Sequence, residues 1–416
     1  MTGKGTIPYE NWLVIICPAT EIDQVRTRCH LQPQKVVERS ATQRKVEKMV
    51  TTFTSESVCS GHPDKICDQI SDAIVDAALS GDPHSRVAVE TLVTENFVAM
   101  AGEVTSKVKL NYERIARSLI KKLGYDDPAL RFTHESPMSV NIHTQSPDIK
   151  VGVDNLGAGD QGMMYGYACR ETDELMPLPI MLAHRLTMQI DQKREEKNSM
   201  SYLRPDGKSQ VTVRYVHGKP ISVESVVLAV PHKEGITLSQ VHHDLYKKVV
   251  TPVLDAFGYT ISPKNVIVNG TGVWHLSGPA ADTGVTGRKI VVDTYGGMAK
   301  VGGGAFSGKD PTKVDRSAAY AARFLAKNIV AAGFADKCEV RLAYFIGAKK
   351  PIMQEVDTFG TAKVEERKIR SFMRKILDTS VAGILETFDL RRPLYLKTAT
   401  YGHFGRNEFP WEKVVV

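Results

Sequence analysis

The densest chemistry lies in one stretch, Gly302-Gly303-Gly304-Ala305-Phe306-Ser307-Gly308-Lys309-Asp310-Pro311-Thr312-Lys313-Val314-Asp315-Arg316. Glycines let backbone N–H groups approach an oxyanion, Lys309 and Lys313 add fixed positive charge, and Asp315 is a hard oxygen ligand suited to Mg²⁺. Gly303-x-x-x-x-Gly308-Lys309 fits the start of a phosphate-binding P-loop, but Asp310 stands where that motif needs Ser or Thr to hold magnesium. A carboxylate there repels the phosphate, so the P-loop reading fails on its own chemistry. A second segment, Ser60-Gly61-His62-Pro63-Asp64-Lys65, opens a helix, where N–H groups and the positive helix end favour phosphate. His62 is a candidate donor to a leaving oxygen, and Asp64 a candidate second metal ligand. Three turns add to this set: Leu203-Arg204-Pro205-Asp206-Gly207-Lys208, Asp282 to Lys289 with adjacent Arg288 and Lys289, and Gly157-Ala158-Gly159-Asp160-Gln161-Gly162. The last resembles a weak dinucleotide loop without a clean βαβ unit behind it. Lys208, Arg288, Lys289, Lys309 and Lys313 against Asp64, Asp160, Asp206, Asp282 and Asp315 suit a polyphosphate with divalent metals.

These segments must be positioned by folded elements. Ile66, Ile70, Ile74 and Ala78 recur every four residues after Pro63, which predicts a helix starting at that proline. Arg86–Val93 and Phe97–Val104 alternate like a hairpin. Residues 112–123 read as a helix, and a turn-rich stretch from Ser146 to Gly162 marks a first boundary. Helices are predicted near 175–195 and 238–256, and strands near 209–216 and 223–230. The last unit should hold strand Lys289–Tyr295, the glycine-rich loop, helix Arg316–Ala332, strand Glu339–Phe345 and helix Glu365–Leu377. The expected architecture is α+β, three sheet-and-helix units spanning 50–149, 157–276 and 277–414, with no visible sequence repeat. Residues 1–48 lack sustained periodicity and read as a disordered leader or a start placed too far upstream, since Met49 directly precedes the first strand-like segment.

At 416 residues the chain exceeds a single core, and 42% hydrophobic with 24% charged residues is ordinary for a globular protein. The net charge of +7 comes from well-mixed charges without a like-charge block, which argues against a nucleic-acid partner. No run of about 18 apolar residues exists to span a membrane, and Trp12 to Cys17 is too short for a signal-peptide core. The scattered cysteines have neither CxxC nor zinc spacing, which suits free thiols in the cytoplasm.

FTSESV (53–58), GHPDK (61–65), QSPDI (145–149), GAGDQG (157–162), TGRK (286–289), DTYGG (293–297), GGGAFSGKD (302–310), KVDRSAAYAAR (313–323) and YGHFGR (401–406) resemble the methionine adenosyltransferase family in order and spacing, from about residue 51 onward. The resemblance implies three related α+β units in a pseudo-threefold arrangement, and active sites between the subunits of a homodimer or dimer of dimers. It implies ATP and L-methionine as substrates, two Mg²⁺ per site and a K⁺. His62 would contact the leaving triphosphate, Asp64 and Asp315 would serve magnesium, and Glu90 potassium. Asp206, Gly207, Lys208, Val273, Trp274, Asp282, Arg288, Lys289, Ala305 and Lys309 would surround ATP. Glu103, Gln145, Asp160, Asp282 and Lys313 would surround methionine.

The implied site is shared: His62 and Gln145 of one chain are expected to meet Lys208 and Lys309 of the other. Three features depart from the pattern. Trp274 replaces a phenylalanine beside adenine, Cys59-Ser60 replaces a small-residue–Glu pair, and the Lys150–Leu156 link is short. The alternatives are a triphosphatase without methionine activation, against which Glu103, Gln145 and Asp282 stand, and a silent regulatory subunit, whose charged set would be broken.

Overall fold

A computed structural model of the chain describes residues 50–144 and 157–416. The leader, the Lys150–Leu156 link and Gln145 lie outside the described residues.

The first long helix, α1 (Pro63–Gly81), starts where its sequence dictates. His62 is the N-cap, its side chain accepting from the Asp64 N–H, and Pro63 occupies the first turn. Ile66, Ile70, Ile74 and Ala78 are fully buried, and this face packs on the hairpin β2 (Arg86–Thr94) and β3 (Phe97–Thr105) that follows β1 (Val50–Val58) and α1.

The same order of elements then recurs. Helix α2 (Tyr112–Lys122) leads to β4 (Met138–His143); strand β5 (Gly162–Cys169) leads to α3 (Leu178–Glu195) and the hairpin β6 (Lys208–Val216) and β7 (Lys219–Ala229). Helix α4 (Leu238–Leu245), a π turn at Tyr246–Val250 and α5 (Thr251–Ala256) run to β8 (Val266–Val268). The last pass has β9 (Gly284–Val285), the short α6 (Ile290–Asp293), α7 (Val314–Ala331), the hairpin β10 (Lys337–Tyr344) and β11 (Met353–Asp357), then α8 (Glu366–Ile376) and α9 (Val381–Thr387). A repeat invisible in residue identities is therefore plain in topology: strand, long helix, hairpin, helix.

Strand pairing runs across the passes. The sheets are ordered β1-β6-β7-β8, β11-β10-β5 and β4-β3-β2-β9. Each pass sends its first strand to the edge of another pass's sheet: β1 pairs β6, β5 pairs β10 and β9 pairs β2, all antiparallel. Among the described residues two of the sheets close with a parallel strand, β8 on β7 and β4 on β3. This cyclic exchange ties the described residues into one compact unit and carries loops between sheets, where the charged motifs sit.

The strand expected at Lys289–Tyr295 is not formed. Ile290-Val291-Val292 has strand-like composition, but residues 290–293 make a helical turn in which the Asp293 N–H donates to the Lys289 carbonyl at 2.8 Å. The turn places the Asp293 carboxylate against the buried Lys65 ammonium, an ionic contact that periodicity does not encode.

Candidate active site

Two turns meet at the start of α1. The Cys59 N–H donates to the Gly207 carbonyl at 2.9 Å, so β1 and β6 enter side by side. A Cβ on Gly61 would stand 2.4 Å from the Pro205 carbonyl oxygen; only glycine lets the two turns close. His62 is 1% exposed. Its Nδ1 accepts from the Asp64 N–H at 3.2 Å, which leaves the proton of the neutral ring on Nε2. Among the described residues that buried nitrogen has no hydrogen-bond partner. Burial, then the Lys289 and Lys208 charges, push the imidazole down to about 3.

Asp64 anchors the opposite turn. Its Oδ1 accepts from the Val285 N–H at 3.0 Å, and its Oδ2 from Lys289 Nζ at 2.7 Å. Burial acts to raise this carboxyl, but the Lys289 and Val285 bonds prevail and hold it below its ordinary value. Arg288 Nε stands 3.8 Å from Asp64 Oδ1, with Nη1 on the Thr283 carbonyl at 3.0 Å. Asp206 is buried and acts within the protein, accepting from the N–H groups of Gly207 at 2.7 Å and Gly278 at 3.1 Å. Burial pushes its carboxyl up to about 6, Lys208 acting against this and Asp282 with it.

A second group forms around the glycine-rich loop. Lys309 Nζ bonds Asp315 Oδ2 at 2.5 Å, in the first turn of α7. Lys313, the N-cap of α7, is held by Asp310. Asp310 is fully buried and also accepts from the N–H groups of Val87 at 2.8 Å and Thr312 at 2.9 Å. The residue that spoils the P-loop pattern is therefore a structural anchor. Loss of hydration, then Glu103, raises the Glu90 carboxyl on β2, with Lys309 opposing. Glu103, half-buried on β3, meets His143 Nε2 at 3.3 Å.

Ala305 joins the two groups, because a Cβ on Gly287 would reach its side chain at 2.5 Å. Asp160 is exposed and, among the described residues, accepts from the neighbouring Gln161 N–H at 2.7 Å, though Gly162 lies against Asp315. Val273 is exposed, and the Trp274 carbonyl accepts from the His232 N–H at 2.9 Å; neither is placed in either group by a side-chain contact among the described residues. Lys208 corrects the expected division of the site. Its charge acts on the His62 of its own chain. The reason is topological: β1 and β6 are adjacent, with Val58 opposite Lys208.

Sequence reasoning missed Lys65, Asp68, Asp72, Asp293 and Arg316, all buried at 1% exposure or less. The signal for two of them was present, since Asp64, Asp68, Asp72 and Asp76 recur every four residues on α1.

Residues 50–147, 155–274 and 276–413 match, in turn, the N-terminal, central and C-terminal domains of S-adenosylmethionine synthetase. The chain belongs to the S-adenosylmethionine synthetase family. It is 51% identical to the S-adenosylmethionine synthase of Sulfurovum sp. over 87% of this chain and 95% of that one. It is 50% identical to the synthase of Treponema denticola over 88% and 96%, and 52% identical to S-adenosylmethionine synthase 1 of Rhodopseudomonas palustris over 86% and 95%. Membership makes it an enzyme of the methionine adenosyltransferase class, a transferase of S-adenosylmethionine biosynthesis. Among the described residues no helix is long and apolar enough to cross a membrane.

Proposed function

We propose that this chain joins L-methionine to ATP to give S-adenosylmethionine and then hydrolyses the released triphosphate to pyrophosphate and phosphate. The observation that carries this reading is the Nε2–H of His62, buried among cations and without a hydrogen-bond partner among the described residues. Methionine sulfur is neutral and carries no proton, so neither a general base nor a covalent enzyme intermediate is needed. Its lone pair attacks the ribose C5′, the C5′–O5′ bond breaks, and the electron pair leaves with the triphosphate. Negative charge grows on O5′, where a buried donor with preplaced cations is most effective. His62 supplies that donor, and Lys208, Arg288, Lys289 and Lys309 hold the triphosphate.

The donor set suits magnesium. Among the described residues no group of three or more His, Cys, Asp and Glu side chains is arranged to hold a metal ion by itself, and Mg²⁺ typically uses one or two carboxylates together with substrate phosphates. Asp64 and Asp315, each already facing a lysine at 2.7 and 2.5 Å, would hold the two ions. Magnesium supplies charge neutralisation of the triphosphate. Glu90, which loses hydration beside Glu103, is the carboxylate for K⁺. Glu103, Gln145, Asp160, Asp282 and Lys313 are assigned to methionine, and Asp206, Gly207, Val273, Trp274 and Ala305 to the ATP pocket. Buried free thiols at Cys59, Cys67, Cys169 and Cys338 suit a cytoplasmic enzyme.

The direct test incubates the purified chain with ATP, methionine, Mg²⁺ and K⁺ and follows products by mass spectrometry. Equal amounts of S-adenosylmethionine, pyrophosphate and phosphate are expected. Conversion of ATP to ADP with no methionine-dependent product overturns the reading.

The site is assigned to a homodimer interface, with the His62–Asp64–Lys208–Lys289 group of one chain facing the Lys309–Lys313–Asp315 group of the other. Mixing Lys289→Ala and Lys309→Ala chains under subunit exchange should restore up to roughly a quarter of parental activity. Half of randomly paired dimers are mixed, and each mixed dimer has one intact site of two. No recovery despite exchange verified by mass spectrometry places each site within one chain.

A further inference from the structure

Helix α1 carries four aspartates at four-residue spacing, Asp64, Asp68, Asp72 and Asp76. They are two residues out of step with Ile66, Ile70, Ile74 and Ala78, which turns them by about 200° onto the opposite face. On a solvated helix this pattern is a charged surface. Here Asp64 is 1% exposed, and Asp68 and Asp72 are fully buried. Burying carboxylates is costly unless each finds donors.

The donors are backbone N–H groups from loops far along the chain. Asp64 Oδ1 accepts from Val285 at 3.0 Å and Asp68 Oδ1 from Gly287 at 2.8 Å. Asp72 Oδ1 accepts from Gly308 at 2.9 Å. Asp76 takes the N–H groups of Leu394, Tyr395 and Leu396 at 2.9, 2.8 and 2.9 Å. The helical rise, about 6 Å per four residues, thereby sets the spacing of three loops along one rigid rod.

Two rungs hold the residues next to the site cations. Gly287 directly precedes Arg288 and Lys289, and Gly308 precedes Lys309. Gly308 has φ +81°, and a Cβ there would stand 2.0 Å from the Val89 carbonyl oxygen, so its N–H is aimed by a conformation that favours glycine. The Arg288–Lys289 segment is fastened on both sides. Gly287 hangs on Asp68 Oδ1, and Asp293 bonds Lys65, whose Nζ bonds Asp68 Oδ2 at 2.9 Å. Ser71 adds a bond from its Oγ to Thr286 Oγ1 at 2.9 Å.

We infer that Asp68 and Asp72 are positioning residues of the reaction: through the Gly287 and Gly308 N–H groups they set where Arg288, Lys289 and Lys309 stand toward the triphosphate. The inference rests on the function proposed above. It separates the ladder into two kinds of rung, because Asp76 grips the segment 394–396, outside the phosphate-facing loops.

Asp68 is the rung to test, since its removal still leaves Lys65 paired with Asp293. Asp68→Ala, Asp68→Asn and Asp76→Asn are compared with the parent for thermal midpoint, kcat, and KM for methionine and ATP. Asp68→Ala should lower kcat of S-adenosylmethionine formation on the order of tenfold to a hundredfold, the scale of a slightly misplaced catalytic group, with KM for methionine unchanged. Asp68→Asn keeps an oxygen for the Gly287 N–H and should recover most of kcat. Asp76→Asn should lower the thermal midpoint and leave kcat at the parental value. Parental kcat in Asp68→Ala, equal losses in the Ala and Asn variants, or a matching kcat loss in Asp76→Asn each overturns the positioning role while the function stands. Absence of S-adenosylmethionine from the parent chain overturns the function, and with it the reading of these rungs.

Discussion

Replacing His62 with Asn is expected to slow S-adenosylmethionine formation on the order of 10²- to 10³-fold, while hydrolysis of added triphosphate slows far less. The magnitude is that of one preplaced donor facing charge that develops only in the transition state, about 3–4 kcal/mol. Asn suits the test because it also caps helices well. Its side-chain oxygen can take over the bond from the Asp64 N–H that His62 Nδ1 now accepts, so stability should change by less than about 0.5 kcal/mol. What Asn lacks is a donor at the position of Nε2, the buried atom without a partner among the described residues. The C5′–O5′ bond breaks only in sulfonium formation; triphosphate hydrolysis breaks a P–O bond elsewhere in the chain of phosphates. Single-turnover rates for both half-reactions, measured on the same preparation, separate the two roles. Equal slowing of both shows that His62 serves phosphate binding in general.

The second large effect is on stability. Arg316→Met should destabilise the fold by about 3–5 kcal/mol, the usual cost of removing one partner from a buried ion pair. Arg316 is fully buried and makes a two-pronged contact with Asp72, Nη1 to Oδ1 at 2.6 Å and Nη2 to Oδ2 at 2.8 Å. It also donates to the Lys309 carbonyl at 3.0 Å, Thr398 Oγ1 at 2.9 Å and Tyr320 Oη at 3.0 Å. Its guanidinium lies over the Tyr395 ring, 4.3 Å from the centroid. Methionine fills much of the volume, so the loss comes from Asp72, left among the described residues with the Gly308 N–H. Urea unfolding followed by circular dichroism gives the value. Combining Arg316→Met with Asp72→Asn should lose less than the sum of the two single changes, because the second change removes the stranded charge. A single-variant loss below about 1 kcal/mol, or strict additivity, shows that the pair is not coupled.

Much of this protein was legible in its residues because the information was local. Pro63 and the four-residue spacing of Ile66, Ile70, Ile74 and Ala78 gave a helix that starts at the expected residue. The alternation from Arg86 to Val104 gave the hairpin β2–β3. Motif chemistry set Arg288 and Lys289 against Asp64, and both stand beside its carboxylate, at 3.8 and 2.7 Å. For the helix and the hairpin the deciding contact lies within a turn or a hairpin, whereas Asp64 and Lys289 are legible by residue chemistry although 225 residues separate them.

What the tertiary structure alone decided involves partners far apart in the chain. Period-two alternation says which face of β1 is buried but not that its neighbour is β6, some 150 residues later; the cyclic exchange of first strands was therefore invisible, and with it the same-chain placement of Lys208 beside His62. Ile290-Val291-Val292 reads as a strand by composition, yet it turns because Asp293 must reach Lys65. Asp310 looked like a flaw in a phosphate loop until its burial against Lys313 and the Val87 N–H was seen. The aspartates of α1 look like a solvated face in sequence, because a carboxylate's spacing is the same in water and in the core. Only the arrival of the Gly287 and Gly308 N–H groups from distant loops makes them the inside of the protein.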